Sequence, residues 1–172
     1  MEQHLRTGRT QRIAGGPATG MALSGDGRNV VFATTAAVTE DDDNGLDDIY
    51  LYDRRTHRTE RISHGHPDAP PRSRLNYSPA ISANGRMFAS SSEVASLAPD
   101  DTNKVTDVIA FDRKTQTTVR VSTAADGTQA DGASSAASLS GDGRRVAFVS
   151  ATTNLVRGDT NDTVDVFVGS RS

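Results

Sequence analysis

Short apolar runs separated by turn residues extend along the whole chain. Residues 21–23 and 30–33 flank a Gly-Asp-Gly sequence, and Asp48–Asp53 alternates apolar with polar side chains. Asp-Gly and Asn-Gly tolerate the positive φ of a tight turn, so two apolar runs joined by them predict a β-hairpin. No segment keeps a 3.6-residue apolar period, and helices are therefore expected to be nearly absent.

Three landmarks recur along the chain in a constant order. Ser-Gly-Asp-Gly-Arg at residues 24–28 returns as Ser-Ala-Asn-Gly-Arg at 82–86 and as Ser-Gly-Asp-Gly-Arg at 140–144. The two other landmarks are Asp48-Ile-Tyr with Asp107-Val-Ile and Asp165-Val-Phe, and Thr-Glu-Arg-Ile-Ser at 59–63 with Thr-Val-Arg-Val-Ser at 118–122. Corresponding residues are 58 or 59 positions apart, so the chain contains three copies of one unit.

Each unit is predicted to form four strands, named A to D in chain order. In the first unit these are residues 21–23, 30–33, 48–53 and 59–63; in the second, 80–81, 87–90, 108–112 and 118–122; in the third, strands A to C are 137–139, 145–150 and 164–169. Units of this length with a Gly-Asp-Gly hairpin after the first strand resemble blades of the TolB-like β-propeller family, a WD-like repeat. The sequences at 126–132 and 155–168, the second being Leu-Val-Arg-Gly-Asp-Thr-Asn-Asp-Thr-Val-Asp-Val-Phe-Val, are similar to a bacterial branch of that family.

The resemblance covers essentially the whole chain and implies an all-β propeller fold. The expected organisation is one propeller domain over residues 1–172, with blades at about 21–78, 79–136 and 137–172. It implies no activity, because propellers carry many unrelated functions.

The two ends of the sequence complement each other. Residues 1–14 contain the pattern of a C–D turn and a strand D, whereas the third unit reaches only strand C and the start of its turn. Known propellers have about four to eight blades, so three are too few for a ring. Two chains related by a two-fold axis give the six blades that the resemblance implies, with residues 1–14 of each chain completing the third blade of the other. The sequence therefore predicts a homodimer with exchanged N-terminal strands; the alternative is a fragment of a longer six-bladed chain.

The composition limits the fold, the partners and the chemistry that are expected of the chain. The chain of 172 residues is 34% hydrophobic and 5% aromatic, which suits many short strands better than packed helices. A net charge of −3 argues against nucleic-acid or anionic-membrane partners, and the lack of cysteine excludes disulfide and thiol chemistry. Residues 1–6 lack the apolar stretch of a signal peptide, which predicts a cytoplasmic protein if Met1 is the native start and a secreted or periplasmic one otherwise.

The loop between strands B and C carries Asp-x-Asn-x-x-x-Asp in every unit. The three sets are Asp42, Asn44 and Asp48; Asp101, Asn103 and Asp107; and Asp159, Asn161 and Asp165. Clustered oxygen ligands suit Ca²⁺, and a structural Ca²⁺ site is therefore predicted. The alternative is that Asp and Asn cap a turn through hydrogen bonds to the nearby backbone.

The loop between the first and second units departs from its counterpart. Residues 122–134 form an ordinary polar loop, whereas residues 64–77 gather His64, His66, Arg74, Asn76 and Tyr77. Such loops lie near the channel mouth of a propeller, and loops on rigid scaffolds concentrate binding residues. These five residues are the predicted ligand contacts, and His66 and Tyr77 are the candidate catalytic residues if the protein is an enzyme.

One departure from the repeat lies within a strand. Ser90 stands where the other units have Phe32 and Phe148, which predicts a cavity or a weaker blade.

Three functions remain open for the chain. The preferred function is a dimeric propeller that binds a small molecule or peptide at its channel mouth. One alternative is a cyclase or isomerase that works without a cofactor on a polyketide-like apolar substrate by positioning it. The other is a propeller for protein interactions at the cell envelope, by analogy with TolB.

Overall fold

A computed structural model describes residues 10–43, 45–63, 76–93, 97–98 and 100–170, with only the backbone of Asn76 and Tyr77. These residues form eleven strands and no α-helix. The strands are β1 (Ala18–Leu23), β2 (Asn29–Thr34), β3 (Asp48–Asp53), β4 (Arg58–Arg61), β5 (Asn76–Ile81), β6 (Met87–Ser92), β7 (Asp107–Asp112), β8 (Thr117–Arg120), β9 (Ser134–Leu139), β10 (Arg145–Ser150) and β11 (Asp165–Ser170). The part of the chain that is described has no helix long and apolar enough to span a membrane.

The strands form three antiparallel sheets, one for each sequence unit. The first blade has the order β1-β2-β3-β4, the second β5-β6-β7-β8, and the third β9-β10-β11. The prediction of an all-β chain built from blade-like units is confirmed. Most of the predicted strands were too short. Strand A of the second blade, for example, begins at Asn76 rather than at Ala80.

The outermost strands end earlier than the sequence pattern predicted. β4 and β8 stop at Arg61 and Arg120, two residues before the serines that end each apolar pattern. The N–H groups of Ile62 and Ser63 converge on the carbonyl of Ile49, which interrupts the regular one-to-one pairing at this point. The same arrangement ends β8, so the difference is a shared feature of the complete blades.

The core lies between the sheets, which stack face to face. Successive side chains of a strand point to opposite faces, so Val31 and Leu51 pack towards Phe88 of the second blade while Phe32 points the other way. Phe148 anchors the corresponding cluster between the second and third blades.

The hairpins between the first two strands of each blade form a continuous series. Each turn is closed by a glycine with positive φ, 68° at Gly27 and 72° at Gly143, which explains the recurring Asp-Gly and Asn-Gly. Neighbouring hairpins are joined by backbone hydrogen bonds, from Gly25 N–H to the Ala83 carbonyl and from Ala83 N–H to the Gly141 carbonyl, both 3.0 Å. The two ends of this series are therefore the Gly25 carbonyl and the Gly141 N–H.

Candidate functional site

Each complete blade has an arginine on its outermost strand that binds carboxylates of the loop between its second and third strands. In the second blade, Arg120 lies 3.4 Å from Asp101 and 3.1 Å from Asp107, and all three side chains are more than nine-tenths buried. In the first blade, Arg61 lies within 3.6 Å of both Asp42 and Asp48. The arginine thus ties the outermost strand to the loop and to the beginning of the third strand.

A serine and an asparagine complete the surroundings of the strand carboxylate. Ser122 donates a hydrogen bond of 2.5 Å to Asp107 and accepts one from the Val108 N–H. The side-chain amide of Asn103 donates to Asp107 at 3.2 Å. Burial raises the pKa of the Asp107 carboxyl, while the Ser122 hydrogen bond and the Arg120 charge act against that rise. Desolvation is the largest of these effects, so the carboxylate depends on its polar partners.

The asparagines shape the loops in the same way in the second and third blades. The Oδ1 atom of Asn103 accepts the Val105 N–H at 3.2 Å, and that of Asn161 accepts the Thr163 N–H at 3.1 Å. Asn161 donates its amide to Asp165 at 2.9 Å, as Asn103 does to Asp107. These bonds describe an Asx turn whose amide nitrogen faces the carboxylate.

The arginine, serine and asparagine contacts described above surround the residues of the predicted calcium sites. Those sites remain a prediction. Within the described residues no group of three or more His, Asp or Glu side chains is arranged to hold a metal ion. Asn44, from the first set, lies outside those residues. In the second blade a guanidinium contacts both Asp101 and Asp107, so these two carboxylates already have a cationic partner.

The third blade repeats the loop without the arginine. β11 pairs with β10, and in the described part of the chain no strand lies on its other side. Asp159 and Asp165 are half-buried, and no ion pair joins either to a cation among the residues that are described. The result is an unpaired strand edge beside two carboxylates, which we call the β11 edge.

The β11 edge continues into an apolar face without a neighbour. Val166 and Val168 are 75% and 62% exposed, whereas their counterparts in the first blade, Ile49 and Leu51, are at most 5% exposed. The opposite end of the arc shows the same contrast, because Leu23 is 56% exposed and its counterpart Ile81 only 9%. Both ends of the three-blade arc therefore expose side chains that are buried where two blades meet.

The predicted ligand-binding loop falls largely outside the described residues. His64, His66 and Arg74 lie there, and Asn76 and Tyr77 are on β5 without described side chains. Their roles stay predictions.

The corresponding loop after the second blade is described and ties two blades together. Gln129 accepts hydrogen bonds from the N–H groups of Thr102 and Asn103, both at 3.1 Å. Asp131 accepts hydrogen bonds from Thr152 and Thr153 of the third blade. The bland appearance of this loop thus reflects a structural role.

A small space lies beside Ser90, where the sequence left a cavity and a weaker blade as alternatives. Ser90 is buried, and with Phe88 and Ile109 it lines a small, mostly apolar space facing Ile49 and Ile62 of the first blade.

The arginines were missed as functional residues. Arg61 and Arg120 occupy the same place in the recurring Thr-x-Arg-x-Ser pattern, and that recurrence is the signal that marks them. An open edge at the end of the third unit was predicted, because that unit reaches only strand C.

Comparison with known proteins shows which solved structures have a similar fold. No family model matches the sequence, and no curated protein matches it. Among solved structures, TolB from Acinetobacter baumannii is similar with a TM-score of 0.54 at 18% identity, covering 89% of this chain and 29% of that one. A protein assigned as TolB from Agrobacterium tumefaciens gives 0.55 at 17% identity, covering 92% and 53%, and the tricorn protease gives 0.55 at 16%, covering 95% and 14%.

These likenesses define the class of protein. The chain has a β-propeller fold similar to that of TolB structures, and it spans about half or less of the length of these three structures. Identities this low show the fold alone.

Proposed function

We propose that two copies of this chain form a six-bladed ring and that the ring binds a small molecule at the mouth of its channel. The observation that carries the ring is the exposure of Val166 and Val168 at positions whose counterparts are buried between blades. Covering such apolar side chains is favourable by roughly 25 cal/mol per Å². The surface that fits is another blade face of this kind, and Leu23 and Met21 lie on one at the far end of the same chain.

The series of hairpin hydrogen bonds supports the same assembly. In a ring of two copies, the Gly141 N–H of one copy is expected to donate to the Gly25 carbonyl of the other, as Ala83 donates to Gly141 within the chain. A two-fold axis repeats this contact, so both ends of both arcs are used. The two end faces of both arcs are then covered, and only the short edges of the individual blades remain.

The ligand site is proposed for the loop of residues 64–77. Its counterpart is held by Gln129 and Asp131, and the first unit has Pro70 and Pro71 in the corresponding part of the loop. Proline has no side-chain amide and no backbone N–H, so it cannot reproduce the contacts of Gln129. The loop instead supplies histidine, arginine and tyrosine, which suit a carboxylate or carbonyl on an apolar body.

Light scattering tests the ring. The native chain is expected at twice its mass of 18.2 kDa, or about 36 kDa. Val166→Glu places a charge on the proposed interface and is expected to weaken the dimer about 100-fold or more, since burying an unpaired charge costs several kcal/mol. Val119→Glu is the matched control, because Glu60 naturally occupies the corresponding position of β4. A native chain that is monomeric at micromolar concentration would overturn the proposal.

A loop exchange tests the ligand site. Residues 64–75 are replaced by residues 123–133, and binding of 1-naphthoate, an apolar carboxylate, is followed by fluorescence titration. Saturable binding to the native dimer and its loss in a folded, dimeric exchange variant are the expected results. Binding that survives the exchange would contradict this location of the site.

A further inference from the structure

We propose that Arg12 of a second copy binds Asp159 and Asp165, and that residues 10–13 of that copy add to the β11 edge as the fourth strand of the third blade. The inference rests on the proposed ring of two copies. It assigns a specific residue and a specific pair of carboxylates to the contact that closes the ring.

The sequence of the N-terminal segment matches the outermost strands. Thr10-Gln-Arg12-Ile13 corresponds to Thr59-Glu-Arg61-Ile62 and to Thr118-Val-Arg120-Val121. In both described examples the arginine of this pattern binds the loop carboxylate and the strand carboxylate. Arg12 is the third arginine of the series, and the third carboxylate pair is the one without a described cation.

The segment already lies where an outermost strand belongs. Ile62 packs against the cluster that contains Phe88 of the next blade, and Val121 packs against the cluster of Phe148. Ile13 packs in the same way against Phe32 and Tyr50 of the first blade. The segment thus occupies the position of the fourth strand of a preceding blade, on the face of the first blade that no described blade covers.

A hydrogen bond holds the segment in that position. Gln11, which corresponds to Glu60, donates to the Tyr52 hydroxyl of the first blade at 2.9 Å. Glu60 likewise contacts the next blade, where it pairs with Arg113. Residues 10–14 nevertheless belong to no sheet of the described chain. Their backbone groups therefore remain for an incoming strand, and the β11 edge of a second copy is a strand without a partner on that side.

The carboxylates of the third blade are arranged as those bound by Arg120. Asn161 donates to Asp165 as Asn103 donates to Asp107, so the loop has its shape before any cation binds. One partner differs, because Ala14 stands where Ser63 and Ser122 donate hydrogen bonds to their aspartates. Asp165 therefore depends more strongly on the arginine than its counterparts do.

Charge reversal with mixing tests this contact. Arg12→Glu and Asp165→Arg are each expected to raise the dimer dissociation constant by about 30-fold or more, since each homodimer contains two like-charge contacts. An equimolar mixture of the two variants is expected to dimerise with near-native affinity. In the mixed dimer one edge carries the native pair and the other carries the pair with its charges reversed.

Sedimentation equilibrium provides the dissociation constants, and circular dichroism shows that each variant is folded. Arg55→Glu is the control, because it makes the same change of charge in an exposed turn. If either variant fails to fold, Arg12→Gln and Asp165→Asn replace the pair, and each is expected to weaken the dimer by about 10-fold.

The outcomes separate this inference from the proposed function. A native dimer whose affinity is unchanged by Arg12→Glu, or two weakened variants that the mixture does not restore, would overturn the Arg12 contact while the ring stands. A monomeric native chain would overturn the ring itself and this inference with it.

Discussion

At the scale of single residues, bidentate ion pairs fasten the hairpins to the third strands. Arg28 binds Asp53 through two contacts of 3.0 and 2.5 Å, and Arg86 binds Asp112 through contacts of 2.9 and 2.6 Å. The hydrogen bond from Arg28 lowers the pKa of the Asp53 carboxyl below its usual range. The third blade has Ser170 in the place of these aspartates, so its arginine, Arg144, allows a comparison with a blade that lacks the aspartate.

Removing the arginine therefore has different consequences in the second and third blades. Arg86→Ala leaves the buried carboxylate of Asp112 without its ion pair and is expected to lower the free energy of unfolding. Arg144→Ala, at the corresponding position of the third blade, is expected to change it by less than about 0.5 kcal/mol. Urea denaturation of both variants measures the difference, and equal losses would contradict this assignment.

A buried hydroxyl gives a second residue-scale prediction. Ser91 is fully buried, and in the described structure its hydroxyl has no hydrogen-bond partner. Ala33 occupies the same position in the first blade. Ser91→Ala is expected to raise the free energy of unfolding by about 1 kcal/mol, because it removes an unsatisfied polar group. Ser82→Ala, which removes a hydroxyl bonded to Asn84 and to the Met87 N–H, is the control and should lower it.

At the scale of elements, the sequence predicted the features that are encoded locally. The hairpins were predictable because Asp-Gly determines the backbone of the turn, and the positive φ of Gly27 and Gly143 agrees. The ends of β4 and β8 were not, since they depend on serines that bond to carboxylates distant in sequence. The contacts of Arg61 and Arg120 were missed for the same reason, because they require the register of the strands.

The Asp/Asn loops give the prediction that belongs to elements. The calcium hypothesis predicts that the melting temperature rises between excess chelator and millimolar Ca²⁺, because an ion that binds only the folded state stabilises it. The loop of Asp159, Asn161 and Asp165 is the most informative in the Arg12→Gln variant, since that variant removes the arginine proposed to contact its carboxylates from a second copy. Differential scanning calorimetry provides the measurement. An unchanged melting temperature leaves the turn-forming role of Asn103 and Asn161 as the explanation of the pattern.

At the scale of the whole molecule, the blades form an arc with complementary ends. One end exposes Val166 and Val168 beside an unpaired strand, and the other exposes Leu23 beside a segment that has the sequence of an outermost strand. The number of blades and the open ends of a three-blade arc were predictable from the repeats, whereas the residues exposed at those ends and the extent of their exposure required the packed blades. The central claim is that these two ends meet in a second copy.

Cysteine cross-linking tests that claim most directly, because the native chain contains no cysteine. Leu51 pairs with Glu60 and Ala110 with Val119, so Val168 of one copy is predicted to pair with Gln11 of the other. Directly opposed residues of antiparallel strands have Cβ atoms about 4.5–5.5 Å apart, close enough for a disulfide after small adjustments.

The variant Gln11→Cys/Val168→Cys is oxidised under mild conditions and analysed on a denaturing gel without reductant. The ring predicts a covalent dimer, and Gln11→Cys/Val164→Cys, which is out of register, should form far less of it. A variant that stays monomeric on the gel, or that cross-links equally in both registers, would contradict the closure of two copies into one ring.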